Sequence, residues 1–458
     1  MSRNCWVLLL ALAVVACAPH QIYRDQITKV CVSQNPQRDC KTNALQQYRD
    51  RANPDSAYLL GFIEFDDQGQ LWRREQMNAV ITNLSQRAYE KDAIIVVFVH
   101  GWKHSAEFGP PEDSNIKTFR KSLKEISEVE SAISKNGNKP NRDVIGVYLG
   151  WRGGSVDVPG LKELTFWDRK ATAEKVGRVG VTEVLTRLEL LQKTKDALVT
   201  KCLPDGRYKK SRTRLVVVGH SFGGAMVYSA VSQILQERFV DTVNFNICDE
   251  RLRRETATST TDARGFGNLV VLINPAFEAN QFAPLGDMSN ERRTYFDTQR
   301  PVLAVLTSEA DYATKFAFPV GRSFSTVFET HRHVNRKDPV TKQNQTINQK
   351  SGNVTAIGHF PDYQTHTLSA VGEEPTSEIY GAARKISNFL RIRDEWNKDK
   401  PGNVIRFTGT SLKRSENSVA RNPYLVIQVD KALIPDHNQI GNSRISAFLR
   451  ELIFLTEQ

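Results

Sequence analysis

Residues 215–224 read Leu-Val-Val-Val-Gly-His-Ser-Phe-Gly-Gly, and an amphipathic segment over residues 223–239 follows them. Four consecutive apolar residues predict a strand that is buried on both faces, and apolar residues spaced three to four apart predict a helix after it. Ser221 therefore stands at a sharp strand-to-helix turn, between Gly219 and Gly223, which leave room for the tight backbone there. Such a turn lifts the serine hydroxyl above the sheet, so this stretch predicts a nucleophilic serine.

Similar apolar runs recur along the chain and predict the other strands of one sheet. They are rich in Val, Ile and Leu, as expected for parallel strands that are covered on both faces. They occupy residues 93–99, 144–149, 269–273, 302–306 and 424–429. Amphipathic patterns predict further helices over residues 116–133, 171–198 and 444–454. This alternation predicts an α/β fold with a mostly parallel sheet and helices on both faces.

A second motif ends the first of these apolar runs, where residues 97–102 read Val-Phe-Val-His-Gly-Trp. Together with Gly-His-Ser-Phe-Gly-Gly at residues 219–224, it resembles the α/β-hydrolase superfamily, specifically bacterial serine esterase-like and lipase-like lipoproteins. The resemblance extends from Tyr58 to the C-terminus. It implies an oxyanion hole made by the backbone N–H groups of Trp102 and Phe222, which follow the His-Gly pair and the nucleophile.

The acid of a serine hydrolase is expected after the nucleophile, because the chain order in this fold is Ser, then Asp or Glu, then His. The predicted strand over residues 302–306 is followed by Thr-Ser-Glu-Ala-Asp at residues 307–311. Asp311 matches the position of the acid in the family that the chain resembles. Glu309 is the alternative acid, and a helix-capping aspartate is the non-catalytic interpretation.

Two of the nine histidines compete for the role of the base. His437 lies in a loop between the apolar run 424–429 and the final helix, and this fold ends with a last strand, a histidine loop and a last helix. His359 lies in Gly-His-Phe at residues 358–360, which also looks like a hydrolase base loop. We predict that His437 is the base, with His359 as the alternative. Nucleophile, acid and base would then form a triad suited to acyl transfer.

The first residues have the anatomy of a secretory signal. Arg3 precedes an unbroken apolar run over residues 5–16, which is too short to span a bilayer. Val-Val-Ala-Cys at residues 14–17 resembles a bacterial lipobox. We therefore expect a signal peptide over residues 1–16, lipidation of Cys17 and an exported protein anchored by lipid in the cell envelope. The alanine after the cysteine resembles the sorting pattern for the outer membrane, and an ordinary signal cleaved nearby is the alternative.

Four cysteines remain beyond the lipobox, and an even number in an exported chain suggests two disulfides with three possible pairings. We predict a bond between Cys31 and Cys40, which closes a small N-terminal element. We also predict a bond between Cys202 and Cys248, because each precedes one of two neighbouring strands on the same side of the sheet.

The predicted organisation has two parts after the signal. Residues 17–57 are polar and form a tether with a small N-terminal element. Residues 58–458 form an α/β-hydrolase domain. Within it, the mixed polar residues 322–422 form an insertion before the last strand, and residues 335–353 of that insertion are predicted to be a mobile loop.

Composition excludes several other classes of protein. The chain is 40% hydrophobic and 25% charged with 27 glycines, which excludes a disordered, collagen-like or polytopic membrane protein. Lys and Arg number 62 against 51 Asp and Glu, a net charge of +11, but no basic module with interleaved aromatics predicts nucleic-acid binding. The pairs His331 with His333 and His100 with His104 lack an acidic or thiol cluster, so we expect no metal, and we expect no other cofactor.

These residues predict a serine hydrolase that cleaves carboxylic esters of small molecules or lipids through an acyl-enzyme on Ser221. An acyltransferase or thioesterase would use the same triad, and a non-catalytic envelope lipoprotein would use the scaffold for binding. His100 is predicted to hold its loop rather than to catalyse. Aromatic residues on loops that leave the strands are predicted to line a pocket for an acyl chain: Trp102, Phe108, Trp151, Trp167 and Phe277.

Overall fold

The computed structural model describes most of the chain after residue 19. The described residues are 20–109, 111–154, 166–199, 201–202, 208–209, 211–241, 262–292, 294–326, 329–338, 340–372, 382–398 and 402–456. The expected signal peptide, the lipidation of Cys17 and the disulfide between Cys202 and Cys248 lie outside the described residues and side chains, and they stay predictions.

One sheet of twelve strands runs through the described part of the chain. Its strands are β1 Cys31–Ser33, β2 Leu45–Tyr48, β3 Tyr58–Glu64, β4 Ala93–Val99, β5 Asp143–Gly150, β8 Arg214–His220, β9 Leu269–Ile273, β10 Leu303–Ser308, β13 His366–Ala370, β14 Val404–Phe407, β15 Thr410–Arg414 and β16 Tyr424–Val429. Two small antiparallel sheets pair β6 Lys201–Cys202 with β7 Tyr208–Lys209 and β11 His333–Lys337 with β12 Asn344–Asn348.

The strand order across the large sheet is β1-β2-β3-β5-β4-β8-β9-β10-β16-β13-β15-β14. Every pairing from β3 to β13 is parallel. At one edge β2 runs antiparallel to β3, and at the other β15 runs antiparallel to β13 and β14. The carboxyl ends of the parallel strands share one edge, where the loops that follow them meet. The predicted α/β-hydrolase fold class is confirmed.

Helices cover both faces of the sheet. They are α1 Pro36–Asp39, α2 Arg74–Glu90, α3 Ser114–Asn136, α4 Phe166–Val176, α5 Thr182–Val199, α6 Phe222–Val240, α7 Ala279–Glu291, α8 Phe318–Ser325, α9 Gln349–Val354, α10 Ala382–Asn397 and α11 Ser443–Leu455. Helices α2, α4, α5, α6 and α7 contribute to one buried apolar layer, and α3, α10 and α11 contribute to the other. Among the described residues, no helix combines the length and the apolar character needed to cross a membrane.

The apolar runs form strands because both of their faces are covered. All seven residues of β4 are buried, with Ile95 and Val97 in one apolar layer and Ile94 and Val96 in the other. The helix predicted over residues 171–198 is divided by a π-helical turn into α4 and α5. This turn begins at Gly177, where a Cβ would lie 2.5 Å from the carbonyl oxygen of Met226 in α6. Sequence periodicity does not indicate such a close contact.

Part of the region before residue 58, predicted to be a tether with a small N-terminal element, joins the same sheet. Strand β2 pairs with β3, and β1 pairs with β2. Arg24 is fully buried, with its backbone N–H donating to Oε1 of Glu64 at 2.8 Å and its Nε to the carbonyl of Ala106 at 2.9 Å. The predicted disulfide between Cys31 and Cys40 is formed, with a Cα–Cα separation of 5.8 Å, and that pairing is confirmed.

The insertion contributes strands to the sheet. Strand β13 pairs with β16 on its outer side, and β15 and β14 continue the sheet from there. Residues 335–353, predicted to be a mobile loop, instead hold most of the β11–β12 hairpin and all but the last residue of α9, so the loop assignment is wrong, while the mobility stays a prediction. The polar composition suggested a loop because the strands of this hairpin have mainly exposed side chains and pair through their backbones.

Candidate active site

The turn between β8 and α6 places Ser221 in a conformation that non-glycine residues rarely adopt. Its φ is 55° and its ψ is −120°, with the residue 3% exposed. The backbone holds this conformation from both sides. The N–H of Ser221 donates to the carbonyl of Ile273 at 2.9 Å, and its carbonyl accepts from the N–H groups of Ala225 and Ala276, each at 3.2 Å. Strain that surrounding bonds maintain in this way is typical of functional residues.

Glycine at position 223 is required by the approach of another loop. A Cβ there would lie 2.1 Å from the carbonyl oxygen of Val99 and 2.6 Å from that of His100. We therefore expect Gly223→Ala to lower the free energy of unfolding by about 3 kcal/mol, since backbone atoms cannot give way cheaply. Urea denaturation measures this. Gly441→Ala is the matched control, because its Cβ would lie 3.5 Å from Thr118, and equal effects of the two changes would contradict the expectation.

Three loops that follow separate strands bring Ser221, His437 and Asp311 together. Nε2 of His437 lies 2.7 Å from Oγ of Ser221, and Nδ1 of His437 lies 2.8 Å from Oδ1 of Asp311. A carboxylate only accepts hydrogen bonds, so Nδ1 carries the proton and Nε2 accepts from the serine hydroxyl. An unprotonated ring nitrogen of His437 thereby faces the serine hydroxyl, which is the geometry that a general base needs.

Asp311 is kept ionised by its neighbours. It is fully buried, which by itself raises a carboxyl pKa. The hydrogen bond and charge of His437, together with hydrogen bonds from the hydroxyl and the backbone N–H of Thr314, outweigh burial and lower the pKa of Asp311. The carboxylate is therefore available to orient and stabilise the imidazole.

Two further side chains, which sequence reasoning missed, fix the loop of His437. The carbonyl of His437 accepts from Nε2 of His220 at 2.9 Å and from Nδ2 of Asn274 at 3.1 Å. Oδ1 of Asn274 accepts from the backbone N–H of Ser308 at 2.9 Å, so this residue also ties the loops after β9 and β10 together. Neither contact has a sequence signal, because the partners are distant in the chain and meet only in the assembled sheet.

The two alternative residues lie elsewhere. Glu309 is exposed, and its hydrogen bonds are made by its backbone. Its N–H donates to the carbonyl of Val429, and its carbonyl accepts from Nζ of Lys315. His359 lies behind the acid, with Nε2 at 2.9 Å from Oγ1 of Thr314. The structure therefore brings Asp311 and His437 to the serine and leaves the alternatives outside that contact.

The two residues expected to form an oxyanion hole lie beside the nucleophile. A Cβ at Gly101 would come within 2.7 Å of Cβ of Ser221, so the backbone leading into Trp102 runs directly past the serine. Phe222 is the first residue of α6, where backbone N–H groups lack partners within the helix. The rings of Trp102 and Phe222 also approach each other, with centroids 6.4 Å apart. Their role in binding an oxyanion stays a prediction.

His100 is built into the loop before Trp102. It is fully buried, its Nε2 accepts from the backbone N–H of Trp151 at 3.1 Å, and its carbonyl accepts from the indole Nε1 of Trp151 at 3.1 Å. Burial lowers the pKa of His100 to about 4, so the ring is neutral at physiological pH. These contacts hold the loop, which is the structural role that the sequence predicted.

The aromatic residues expected to wall the site divide into two groups. Trp102 and Trp167 both contact Phe166, with ring centroids 5.2 Å away in each case, and Phe166 also lies 4.7 Å from Phe222 beside the nucleophile. The other three predicted wall residues are not part of this cluster. Trp151 and Phe277 are buried in the core, and Phe108 faces Arg24. The prediction is wrong for the buried Trp151 and Phe277, because a position after a strand does not determine which way a side chain turns, and it stays a prediction for Phe108.

The histidine pairs with ligand-compatible spacing have ordinary partners. Nδ1 of His104 lies 3.0 Å from Oδ2 of Asp113, and Nε2 of His331 lies 3.1 Å from Nδ2 of Asn353. Across the described ranges, no group of three His, Cys, Asp or Glu side chains converges in a way that could hold a metal ion.

Buried neutral histidines should make stability depend on pH. Burial lowers the pKa of His366 and of His220 to about 3, against about 6.5 in an unfolded chain. The unfolded chain therefore binds more protons below pH 6.5, and the free energy of unfolding should fall with decreasing pH by about 1.4 kcal/mol per pH unit for each such histidine. We expect His366→Gln to reduce this slope in urea unfolding at pH 7.5, 6.5 and 5.5. The exposed His333→Gln should leave it unchanged, and equal slopes in all three proteins would contradict the account.

Comparisons with known proteins add nothing to the fold assignment. No protein-family model and no curated protein sequence matches the chain. A structure of phospholipase PlaB from Legionella pneumophila in complex with thio-NAD aligns at 14% identity and a TM-score of 0.23, covering 62% of this chain and 47% of that one. A second PlaB structure aligns at 16% identity and a TM-score of 0.21, covering 61% and 48%. The chain spans about half the length of these structures, and a likeness of this size supports no statement about activity.

Proposed function

We propose that this chain is a serine hydrolase that cleaves carboxylic esters through an acyl-enzyme on Ser221. One observation carries the proposal: Oγ of Ser221 lies 2.7 Å from Nε2 of His437, whose Nδ1 lies 2.8 Å from the buried Asp311. A nucleophile, a base and a group that orients the base are thereby in hydrogen-bond contact, as acyl transfer requires.

The proposed reaction has two steps. Oγ of Ser221 attacks the ester carbonyl while His437 takes the hydroxyl proton. His437 then gives that proton to the leaving alcohol as the acyl-enzyme forms. Water attacks the acyl-enzyme in the second step, with His437 again as base, and releases the carboxylic acid and the free serine. Asp311 stabilises the imidazolium in both steps.

The oxyanion of each tetrahedral intermediate would be bound by the backbone N–H groups of Trp102 and Phe222. Developing charge needs fixed donors in a site from which water is excluded, and one such donor is worth about 3 kcal/mol of barrier. The pair of partly exposed rings Trp102 and Phe166, packed against the buried Phe222, offers apolar surface beside Ser221. We propose that it contacts the acyl chain of the substrate, which would be a small-molecule or a lipid ester.

We also propose that the protein acts at a membrane surface. The apolar run over residues 5–16 and the cysteine that follows it support export and lipidation at Cys17, with the mature protein held in the cell envelope, in the outer membrane of a host that has two. Metabolic labelling with a fatty-acid analogue tests this. Loss of the label in Cys17→Ser is expected, and an unlabelled wild-type protein would contradict it.

Activity on p-nitrophenyl esters of increasing acyl length, assayed beside a phospholipid, tests the proposed reaction and narrows its substrate. We expect hydrolysis that depends on chain length. Transfer of the acyl group to an added alcohol or thiol in preference to water would instead favour an acyltransferase. A folded protein with no turnover of any ester would favour the non-catalytic lipoprotein.

The acid is tested by a pair of variants on neighbouring residues. Asp311→Asn should lower kcat about 10⁴-fold, because an amide keeps the size of the group but favours the wrong tautomer of His437. Glu309→Gln changes an exposed carboxylate two residues away and should leave kcat within about twofold. Steady-state hydrolysis of a p-nitrophenyl ester measures both, and a larger loss in Glu309→Gln would show that the acid is misassigned.

A further inference from the structure

We infer that Thr314 and His359 are positioning residues for the acid, forming a hydrogen-bonded chain behind Asp311 that holds its carboxylate toward His437. The inference rests on the proposed function, because these residues have a rate to influence only if Asp311 serves a catalytic base. Both act through Asp311 and not on the substrate.

The chemistry of the groups fixes the direction of each hydrogen bond in the chain. An ionised carboxylate only accepts, so the hydroxyl of Thr314 donates to Oδ2 of Asp311. The same hydroxyl oxygen accepts from His359, whose Nε2 lies 2.9 Å away and therefore carries the proton. The backbone N–H of Thr314 donates to Oδ1 of Asp311 at 3.2 Å, and Oδ1 also accepts from His437. Because His359 donates to the hydroxyl oxygen of Thr314, it polarises that hydroxyl and strengthens the hydrogen bond that Thr314 donates to Asp311.

Two local structures hold the chain rigid. Thr314 lies in a π-helical turn over Ala313–Ala317, an irregularity that is common at functional sites. His359 ends a 3₁₀ turn whose first N–H donates to the carbonyl of Phe277 at 3.1 Å. A Cβ at Gly358 would lie 1.8 Å from Oγ1 of Thr307, so this turn packs against β10 more closely than a side chain allows. Strand β10 also leads into Asp311. The same strand therefore positions both Asp311 and the turn of His359, the two ends of the hydrogen-bonded chain.

The electrostatic surroundings keep His359 neutral. Burial lowers its pKa to about 4, Asp311 opposes that change, and Lys315 and His437 add to it. A neutral imidazole donates its proton without bringing a second positive charge to Asp311. The charge of the carboxylate therefore remains available to the imidazolium of His437, which is the form that the proposed reaction generates.

Four variants in the full-length protein separate positioning from packing. Thr314→Val and His359→Phe remove the donors at nearly constant size, whereas Thr314→Ser and His359→Gln retain a donor. His333→Phe, on the exposed face of the β11–β12 hairpin, is the matched control. The measurement is kcat and KM for a p-nitrophenyl ester from pH 5 to 9, with thermal melting as the check on folding.

We expect Thr314→Val and His359→Phe to lower kcat about tenfold with little change in KM. The acid limb of the kcat profile should move to higher pH, because the Asp311 carboxylate with fewer donors has a higher pKa. Thr314→Ser and His359→Gln should recover most of the rate and the original limb. A side chain that only fills space would give neither the shifted limb nor the recovery.

The possible failures can be told apart. Wild-type protein that neither turns over esters nor reacts with a fluorophosphonate while folded would contradict the proposed function and this inference with it. An active wild type in which His359→Phe and His359→Gln have the same kcat and the same acid limb would overturn the inference alone. If His359→Phe does not fold, the Thr314→Val and Thr314→Ser pair decides by the same two readouts.

Discussion

Ser221→Ala should lower the rate of ester hydrolysis by about 10⁵-fold or more, to near the level of the reaction without an acyl-enzyme. The change removes only the oxygen that lies 2.7 Å from His437. Alanine keeps the Cβ that packs against Gly101, and the backbone bonds of the turn do not depend on the hydroxyl. Initial rates on a p-nitrophenyl ester, with thermal melting to show retained folding, provide the measurement.

The control for this prediction is another serine that lies outside the site. Ser323 is exposed on α8, and its hydroxyl donates to the carbonyl of Pro319 in the same segment. We expect Ser323→Ala to hydrolyse the ester at a rate within about twofold of wild type. Residual activity in Ser221→Ala above a few per cent of wild type would show that hydrolysis proceeds without this serine.

The two histidine variants should differ by several orders of magnitude. His437→Ala removes the only imidazole in contact with Ser221 among the described residues, and kcat should fall about 10⁵-fold. His359→Ala leaves that contact intact and weakens the support of Asp311 through Thr314, so a loss of about tenfold is expected. Steady-state kinetics at pH 8 measure both. A loss confined to His359→Ala would contradict the assignment of the base.

Much of the fold could be predicted from the sequence because its strands are covered on both faces. The apolar runs at β4, β9 and β16 coincide with strands of the sheet, since continuous Val, Ile and Leu are stable there only when both faces are buried. The edge strands were not predicted. Strands β1 and β2 carry polar residues such as Gln46, and pairing with a neighbour rather than apolar patterning specifies them.

The acid and the base of the candidate site could be predicted because the strand order restricts where they lie. His437 follows the last strand before the last helix, and Asp311 follows another strand at the same edge of the sheet, so their approach to Ser221 follows from strand order. The supporting contacts of Asn274 and Thr314 were not predictable. They depend on side-chain directions in loops that meet only after the sheet has assembled, and no spacing in the sequence reports those directions.

The most direct test of the central claim is covalent labelling of the purified mature protein with a fluorophosphonate, followed by peptide mass mapping. An activated serine next to a base should react with the probe, and the adduct should map to Ser221 with a stoichiometry near one. Labelling should disappear in Ser221→Ala and fall strongly in His437→Ala. A folded wild-type protein that remains unlabelled, or an adduct on another residue, would contradict the account.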